Sequence, residues 1–276
     1  MSNLVSTQWL AEHIGDTSVV VLDATWHLPT LKRNAVEEFT AAHIKGARFF
    51  DIDKTSDQSS ALPHMLPNAE QFSAQIGALG ISNSSHVIAY DSYGLFSAAR
   101  CWWMFKVFGH AKVSVLDGGL KKWLAEGRPT VSGPADVASP VHFAAHLNAV
   151  MVRNMEDVAT TKAQIADARS GPRFRGEEAE PRPGVRPGHI PGARNVHYAS
   201  LLQADGTMKP QAELAERFAS AGIDSQKPVI TSCGSGVTAA ILSLALTELG
   251  VKDHALYDGS WTQWGASDKP VALGAD

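Results

Sequence analysis

The chain has 276 residues, of which 44% are hydrophobic and 19% are charged, and its net charge is −4. This composition is typical of a globular protein of about two domains and not of a disordered chain. The acidic balance argues against a general nucleic-acid binder, which would carry a basic excess. The two cysteines, Cys101 and Cys233, are too few for a disulfide framework or a four-cysteine zinc site.

The chain shows no targeting or membrane pattern. Its N-terminal residues lack a basic start followed by an apolar core, and they lack the Arg-rich amphipathic pattern of a transit peptide. No apolar run reaches the roughly 18 residues of a membrane span, and the richest stretch, 239–249, is interrupted by polar residues. We therefore expect a cytoplasmic protein that does not associate with membranes and whose cysteines are reduced.

Strand and helix patterns alternate along the chain. Short apolar runs predict buried strands at 19–22, 87–90, 113–116 and 228–231. Apolar residues at helical spacing predict helices at 69–79 and 212–221. The alternation predicts an α/β fold in which each domain is a mostly parallel sheet flanked by helices, with ligands at the carboxyl ends of the strands.

The chain also repeats itself once. The segment HIKGAR at 43–48 recurs as HIPGAR at 189–194, and LDA at 22–24 recurs as ADA at 166–168. The two offsets are 146 and 144 residues, which is far longer than the period of a solenoid and indicates a duplicated domain.

A segment rich in proline separates the two copies. Residues 129–149 contain three prolines and a glycine, and they show no apolar periodicity, which is typical of a linker. We therefore predict a first domain at 1–128 and a second domain at 150–276.

The most informative loop follows the strand predicted at 228–231. Residues 232–238 read SCGSGVT and run directly into an apolar helix. The glycines permit backbone conformations that turn successive N–H groups towards one anion, and the helix N-terminus adds partial positive charge. A cysteine in that field favours its thiolate form, so we predict that Cys233 is a nucleophile in an anion-binding loop.

The other cysteine and the other copy of the loop differ from this pattern. Cys101 lies in a helix of large apolar side chains, so we predict that it belongs to the core. In the first copy Asp91 stands at the position of Cys233, and Gly94 matches Gly236. The first domain is therefore predicted to be catalytically silent.

Other kinds of cysteine chemistry fit less well. A cysteine phosphatase needs an arginine six residues after its nucleophile, where this chain has Ala239, and the loop has no basic residue to hold phosphate. A redox pair is excluded because no second cysteine lies nearby. A cysteine hydrolase would need a histidine base, which the sequence alone does not exclude.

The chain resembles the tandem-domain rhodanese family of sulfurtransferases over nearly its whole length. The segments that carry the resemblance are 233–238, 43–53, 64–67, 117–120 and 257–261. The resemblance implies two parallel α/β domains, with the site at their interface in the second domain. Members that use thiosulfate carry basic residues after the cysteine. The neutral pair Gly234 and Ser235 therefore implies the branch that uses 3-mercaptopyruvate.

The resemblance also implies individual site residues. The substrate-binding arginines of the family match Arg173 and Arg182, whose guanidinium groups suit the carboxylate and ketone oxygens of a 2-oxo acid. An Asp-His-Ser relay of the family matches Asp53, His64 and Ser235. Further substrate-binding positions fall on the loop itself, at Gly234, Gly236, Val237 and Thr238.

The expected activity follows from these matches. The enzyme would move the sulfur of 3-mercaptopyruvate through a Cys233 persulfide to an acceptor and release pyruvate. The acceptor would be cyanide in an assay, and a small thiol or thioredoxin in a cell, with no metal and no organic cofactor. Two alternatives remain, a thiosulfate sulfurtransferase and a non-catalytic sulfur-relay or scaffold protein.

Four further residues recur in both copies and are predicted to be structural. His43 matches His189, and Trp123 matches Trp264. A residue that is used in the same way in an active and a silent domain serves the fold rather than the reaction.

Overall fold

The computed structural model describes residues 2–275, which form two compact units. Unit 1 consists of the chain up to Gln58, Leu66–Asn148 and Gln203–Met208. Unit 2 consists of Ser59–Met65, Ala149–Leu202 and the chain from Lys209 onward. These units are defined by packing and not by order along the chain, so the predicted boundaries at 128 and 150 remain a prediction.

Unit 1 is built on one parallel sheet with the strand order β1-β5-β4-β2-β3. Its elements in chain order are β1 (Leu4–Val5), α1 (Thr7–His13), β2 (Val19–Asp23), α2 (Ala35–Ala41), β3 (Arg48–Phe49), α3 (Ala69–Ala78), β4 (His86–Tyr90), α4 (Ala98–Val107), β5 (Val113–Leu116) and α5 (Gly119–Ala125). The central strands are buried on both faces, which is why they read as continuous apolar runs.

Unit 2 repeats this topology with the strand order β6-β10-β9-β7-β8, again all parallel. Its elements are β6 (Val152–Arg153), α6 (Met155–Thr160), β7 (Gln164–Asp167), α7 (Gly171–Arg175), β8 (Arg194–Asn195), α8 (Gln211–Ser220), β9 (Val229–Ser232), α9 (Ala239–Glu248), β10 (His254–Tyr257) and α10 (Ser260–Trp264). Short 3₁₀ helices lie at Pro29–Leu31, Ala149–Met151 and Tyr198–Leu201.

The predicted α/β class and its main elements are confirmed. The four predicted strands are β2, β4, β5 and β9, and the two predicted helices are α3 and α8, each within one residue at its ends. The sequence did not reveal six strands. β1, β3, β6 and β8 have two residues each, which is too short for a hydrophobic pattern. β7 and β10 have four residues each, and each begins with a polar residue, Gln164 and His254 respectively.

The recurring histidines occupy matching structural positions. His43 stacks on Phe39 with ring centroids 4.0 Å apart, and its Nδ1 lies 2.8 Å from the Phe39 carbonyl oxygen. His189 stacks on Phe174 at 3.8 Å, and its Nδ1 lies 2.8 Å from the Phe174 carbonyl oxygen. Both rings are buried. The structural role that was predicted for the pair is therefore confirmed.

The recurring tryptophans and Cys101 belong to the core, as predicted. Trp123 and Trp264 are buried, and each donates its indole N–H to the carbonyl oxygen of a proline six residues later, Pro129 and Pro270 respectively. Cys101 is fully buried, and burial raises the pKa of its thiol well above the ordinary value. A thiol in that state is a poor nucleophile.

Residues 203–208, from the second sequence copy, pack within unit 1. The Met208 N–H donates to Asp117 Oδ1 at 2.8 Å, and Lys122 Nζ lies 2.8 Å from Asp205 Oδ2. The segment is therefore held by both a backbone hydrogen bond and an ion pair. Among residues 2–275, no helix combines the length and the apolar character that membrane crossing requires.

Candidate active site

The Cys233 loop, residues 233–238, connects β9 to α9 at the carboxyl end of the sheet in unit 2. Cys233 is 1% exposed, and its N–H donates to Ser260 Oγ at 3.2 Å. The Trp261 N–H donates to the Cys233 carbonyl oxygen at 2.9 Å, and the Thr262 N–H donates to the Gly234 carbonyl oxygen at 2.8 Å. The first residues of α10 thus fix the peptide groups immediately before and after Cys233.

His64 and Ser235 meet within unit 2, although they are 171 residues apart in the chain. His64 Nδ1 lies 3.1 Å from Ser235 Oγ and 3.3 Å from the Ser235 carbonyl oxygen. Both side chains are buried, and His64 has a φ of 62°, in the left-handed region. A non-glycine residue in that region stores backbone strain, which is concentrated at functional sites. The structure therefore places two members of the predicted relay within hydrogen-bonding distance.

Arg173, on α7, lies beside the Cys233 loop. Its Nη2 is 3.1 Å from the place that a β-carbon on Gly234 would occupy. Glu180 holds the guanidinium through two hydrogen bonds, from Arg173 Nη2 to Oε2 at 2.5 Å and from Nε to Oε1 at 3.3 Å. The Arg173 side chain keeps 19% of its surface exposed, whereas that of Glu180 keeps only 4%.

A second arginine, Arg169, stands behind Glu180. Arg169 Nη1 donates to Glu180 Oε1 at 2.8 Å, and its Nη2 donates to Asp167 Oδ2 at 2.7 Å and to the Gly188 carbonyl oxygen at 2.9 Å. Its side chain is 1% exposed. Burial opposes the charge of Arg169, but the two carboxylates outweigh that effect and raise its pKa. Arg169 is therefore a permanently charged group inside unit 2.

The remaining predicted residues are distributed over both units. Arg182 is half-buried in the segment between α7 and β8. Asp53 belongs to unit 1, where its Oδ2 accepts a hydrogen bond from Trp26 Nε1 at 3.1 Å. Val237 is buried, and Thr238 is the residue immediately before α9. The substrate role of Arg182 and the relay role of Asp53 stay predictions.

The equivalent loop of unit 1 surrounds the carboxyl group of Asp91. Asp91 Oδ1 accepts from the N–H groups of Tyr93 and Gly94 at 2.9 and 3.2 Å, and Oδ2 accepts from those of Phe96 and Ala98 at 2.7 and 2.9 Å. Asp91 is fully buried, and burial raises the pKa of its carboxyl group despite these four donors. The loop of unit 1 therefore shows where an anion sits in this backbone geometry.

Sequence reasoning missed Arg169 and Glu180. A signal for Arg169 was present in the repeat, because Asp23-Ala24 is followed by Thr25 whereas Asp167-Ala168 is followed by Arg169. A charged residue in the copy that contains Cys233, opposite a neutral residue in the other copy, marks a position where the two copies differ in their chemistry. No comparable signal pointed to Glu180, which is one of three glutamates in a polar loop.

Comparison with known proteins gives a consistent result. The family profile described as "Rhodanese-like domain" matches residues 6–126 and 151–267. The human 3-mercaptopyruvate sulfurtransferase is 43% identical over 97% of this chain and 93% of its own length. The thiosulfate/3-mercaptopyruvate sulfurtransferase 1, mitochondrial, of Arabidopsis thaliana is 41% identical over 97% of this chain and 77% of its own length.

A solved structure shares the fold. The crystal structure of SseA from Escherichia coli, described as a 3-mercaptopyruvate sulfotransferase with the rhodanese fold, aligns with a TM-score of 0.86. The alignment covers 95% of this chain and 99% of SseA, at 41% sequence identity.

Proposed function

The chain belongs to the rhodanese family, and from that premise we propose that it is an enzyme that takes sulfur from 3-mercaptopyruvate. Cys233 carries the sulfur as a persulfide, and a thiol acceptor or cyanide removes it. Pyruvate is the other product.

The observation that carries this proposal is the pair of matching loops. In unit 1, four N–H groups surround the two oxygens of the Asp91 carboxylate. Cys233 takes the place of Asp91 in unit 2, so its sulfur corresponds to the carboxyl carbon of Asp91. An outer sulfur bonded to Cys233 then corresponds to a carboxylate oxygen. By this correspondence, the outer sulfur of a persulfide anion would accept hydrogen bonds from the loop amides of Ser235, Gly236 and Thr238.

The first step transfers sulfur to the enzyme. The Cys233 thiolate attacks the sulfur of 3-mercaptopyruvate, a new sulfur–sulfur bond forms, and the carbon–sulfur bond of the donor breaks. The electron pair of that bond passes into the donor and leaves pyruvate as its enolate. Arg173 and Arg182 hold the carboxylate and the ketone oxygen of the donor, because guanidinium groups form paired hydrogen bonds with such oxygens.

The enolate then needs a proton on the carbon that lost sulfur. Ser235 is the proposed proton route, since its Oγ lies 3.1 Å from Nδ1 of the buried His64. A histidine within hydrogen-bonding distance of a hydroxyl group can resupply the proton that the hydroxyl gives up. Asp53 is the proposed third member of this relay.

In the second step the acceptor thiolate attacks the outer sulfur of the persulfide. The sulfur leaves on the acceptor, and the electron pair returns to Cys233 as its thiolate. A small thiol or thioredoxin is the proposed acceptor in the cell, and the cytoplasm is the proposed compartment. The Arabidopsis relative is named as mitochondrial, so measuring the location of the native protein is the direct check.

The alternative donor is thiosulfate, which the name of the Arabidopsis relative also contains. The deciding experiment compares kcat/KM for 3-mercaptopyruvate and for thiosulfate with the same acceptor. We expect 3-mercaptopyruvate to be preferred by at least about tenfold, because the Cys233 loop has no basic residue to balance a dianion. A preference for thiosulfate would refute the donor assignment.

A second measurement separates an enzyme from a passive sulfur carrier. After incubation with 3-mercaptopyruvate and without an acceptor, Cys233 is expected to gain about 32 Da, the mass of one sulfur atom, with one equivalent of pyruvate released. Pyruvate release that continues through many cycles once a thiol is added identifies an enzyme. A single equivalent with no turnover would indicate a carrier.

A further inference from the structure

We infer that Glu180 is a positioning residue that fixes Arg173 beside the Cys233 loop, with Arg169 as its buried anchor. The inference rests on the proposed function, because it concerns how the donor carboxylate is held.

The first observation is the way in which Glu180 grips Arg173. A guanidinium group offers two edges for paired hydrogen bonds, Nε with Nη2 and Nη1 with Nη2. Glu180 takes the Nε–Nη2 edge, at 3.3 and 2.5 Å. The Nη1–Nη2 edge therefore faces away from Glu180. Its N–H groups can donate hydrogen bonds to a second carboxylate.

The second observation is that Glu180 cannot move freely. Its side chain is 4% exposed, and its Oε1 accepts hydrogen bonds from both Arg169 and Arg173. Arg169 is itself fixed by Asp167 and by the Gly188 carbonyl oxygen. A buried charge that is paired on every side is costly to displace, so the position of Glu180 is set by the interior of unit 2.

The third observation is that the same cluster is also linked to Cys233 through Trp261. The Arg169 guanidinium lies 4.6 Å from the centre of the Trp261 ring, and the Trp261 N–H donates to the Cys233 carbonyl oxygen at 2.9 Å. The chain of contacts from Cys233 through Trp261, Arg169 and Glu180 to Arg173 ends beside Gly234. It therefore fixes the distance between the reactive sulfur and the group that holds the donor.

Arg169 itself is not a donor-binding residue. Its side chain is 1% exposed, and its Nε, Nη1 and Nη2 atoms all donate to groups within unit 2. Among the charged residues of this cluster, Asp167, Arg169, Glu180 and Arg173, only the Arg173 side chain is substantially exposed. The roles thus divide, with Arg173 for the donor and Arg169 and Glu180 for placing Arg173.

The test is the Glu180→Gln variant, which keeps the side-chain shape and removes the charge. We expect kcat/KM for 3-mercaptopyruvate to fall by about 10- to 100-fold, mainly through a higher KM, because a misplaced binding group loses the donor pose. The conservative Glu180→Asp variant keeps the charge and should recover part of this loss. It also provides the readout if Glu180→Gln does not fold.

The chain offers a matched control in the same segment. Arg175 donates to Glu177 through Nε at 2.8 Å and Nη2 at 2.7 Å, with the same paired geometry as Arg173 and Glu180, but the Glu177 side chain is 56% exposed. Glu177→Gln is expected to leave both kcat and KM within about twofold of the unchanged protein, because exposed pairs hold their partners weakly.

A second background distinguishes positioning from general damage to the fold. In the Arg173→Met background, adding Glu180→Gln should change kcat/KM by less than about twofold, because the residue on which Glu180 acts is already gone. The rate at which neutral iodoacetamide alkylates Cys233 should be unchanged in Glu180→Gln. An equal loss in both backgrounds, or a slower alkylation, would indicate a purely structural role and overturn the inference.

Two other results for kcat/KM of Glu180→Gln would contradict the inference. A rise in kcat/KM for Glu180→Gln would mean that Glu180 competes with the donor for Arg173, and an unchanged value would mean that Arg173 needs no support. Either result overturns the inference and leaves the proposed function intact. If the unsubstituted protein releases no pyruvate from 3-mercaptopyruvate, the proposed function itself fails.

Discussion

The Asp91 loop of unit 1 and the Cys233 loop of unit 2 share a backbone arrangement but differ in the side chain at their first position. Both follow a central strand of a parallel sheet and lead into a buried helix, and both have a glycine in the left-handed region, with φ values of 116° at Gly94 and 81° at Gly236. In unit 1 the side chain at the first position is a carboxyl group, whose two oxygens are bonded permanently to the protein. In unit 2 that side chain ends in sulfur, which can acquire and lose the outer atom.

We propose that the silence of the first loop and the activity of the second depend on this one side chain in a shared backbone frame. The amide groups of unit 1 stabilise Asp91, so there the frame contributes to the fold. In unit 2 we propose that the frame stabilises the persulfide, so it contributes to the reaction. The duplicated domain has therefore kept the geometry of the loop while its use diverged.

A second comparison concerns the ends of β2 and β7. Asp23 and Asp167 occupy matching positions, and both are buried. Asp23 has the neutral neighbour Thr25, and burial raises the pKa of Asp23 from 3.8 to about 6, although hydrogen bonds with Thr25 partly oppose this effect. Asp167 has Arg169 instead, whose guanidinium donates to both of its oxygens. The same aspartate is therefore unfavourable as an anion in unit 1 and paired in unit 2.

Replacing the Cys233 nucleophile should have the largest effect on sulfur transfer, and aspartate, the residue at the matching position of unit 1, is one of two replacements. Cys233→Asp and Cys233→Ser are both expected to lower sulfur transfer by more than about 10³-fold, because the nucleophile is gone. Cys233→Asp should be no less stable than Cys233→Ser, since its carboxylate can accept from the loop amides as Asp91 does. Donor-dependent pyruvate release and thermal unfolding measure the two effects.

Cys101→Ala is the control for this pair, because Cys101 is buried in the core of unit 1 and has no part in the proposed chemistry. It should retain full transfer activity. Activity that survives in Cys233→Ser would contradict the role of Cys233 as the nucleophile. A marked instability of Cys233→Asp alone would contradict the correspondence between the two loops.

Removing the charge of Asp167 should give the second largest effect. Asp167→Asn takes from the buried Arg169 one of its two carboxylate partners, and breaking a buried ion pair typically costs about 3–5 kcal/mol of unfolding free energy. Urea unfolding of the whole chain measures the loss. A cost below about 1 kcal/mol would show that Glu180 alone satisfies Arg169.

Removing the charge of Asp91 should cost somewhat less. Asp91→Asn keeps one carbonyl oxygen but turns an N–H₂ group towards amides that Asp91 Oδ2 now satisfies, those of Phe96 and Ala98. Each buried amide left without a partner costs about 1–3 kcal/mol, so we expect a total loss of about 2–4 kcal/mol.

Hydrogen exchange locates that loss. Exchange should become faster in α4 of unit 1, which begins at Ala98, and should stay unchanged in α9 of unit 2, which begins at Ala239. Equal acceleration in both helices would mean that the Asp91 loop does not act locally.

Asp23→Asn should have the smallest effect on the unfolding free energy. Asp167→Asn lowers that free energy, whereas Asp23→Asn should raise it relative to the unsubstituted protein near neutral pH. Between pH 3.8 and about 6 the unfolded chain has already released the proton of Asp23 while the folded chain still binds it. The unfolding free energy therefore falls as the pH rises through this window, by up to about 3 kcal/mol. Asp23→Asn should remove that fall, so that it is relatively more stable than the unsubstituted protein near neutral pH.

The measurement is the difference in unfolding free energy between the two proteins at several pH values. The difference is needed because His254, whose pKa burial lowers from 6.5 to about 4, makes stability rise with pH over an overlapping range. His254 is present in both proteins, so its contribution cancels. A difference that does not change with pH would show that Asp23 is not the group responsible.

The fold could be predicted from the sequence where an uninterrupted apolar run marked a buried strand. Buried strands such as β4 and β9 read as apolar runs, and the recurrence of HI-x-GAR exposed the duplication. The two-residue strands β1 and β6 carry no pattern, because they are defined only by the neighbour with which they pair. The nucleophile loop was also a local signal, since Cys233, the glycines and the helix start are adjacent in the chain.

The sequence by itself determined the α/β class, the duplication and the choice of Cys233 over Cys101. These depend on spacing and on side-chain chemistry within a few residues. Only the tertiary structure decided that His64 reaches Ser235, that residues 203–208 pack within unit 1, and that Glu180 rather than Glu177 is the buried partner of an arginine. Burial is the physical reason. Whether a charged or polar side chain is solvated or held depends on what covers it, and the covering groups come from distant parts of the chain.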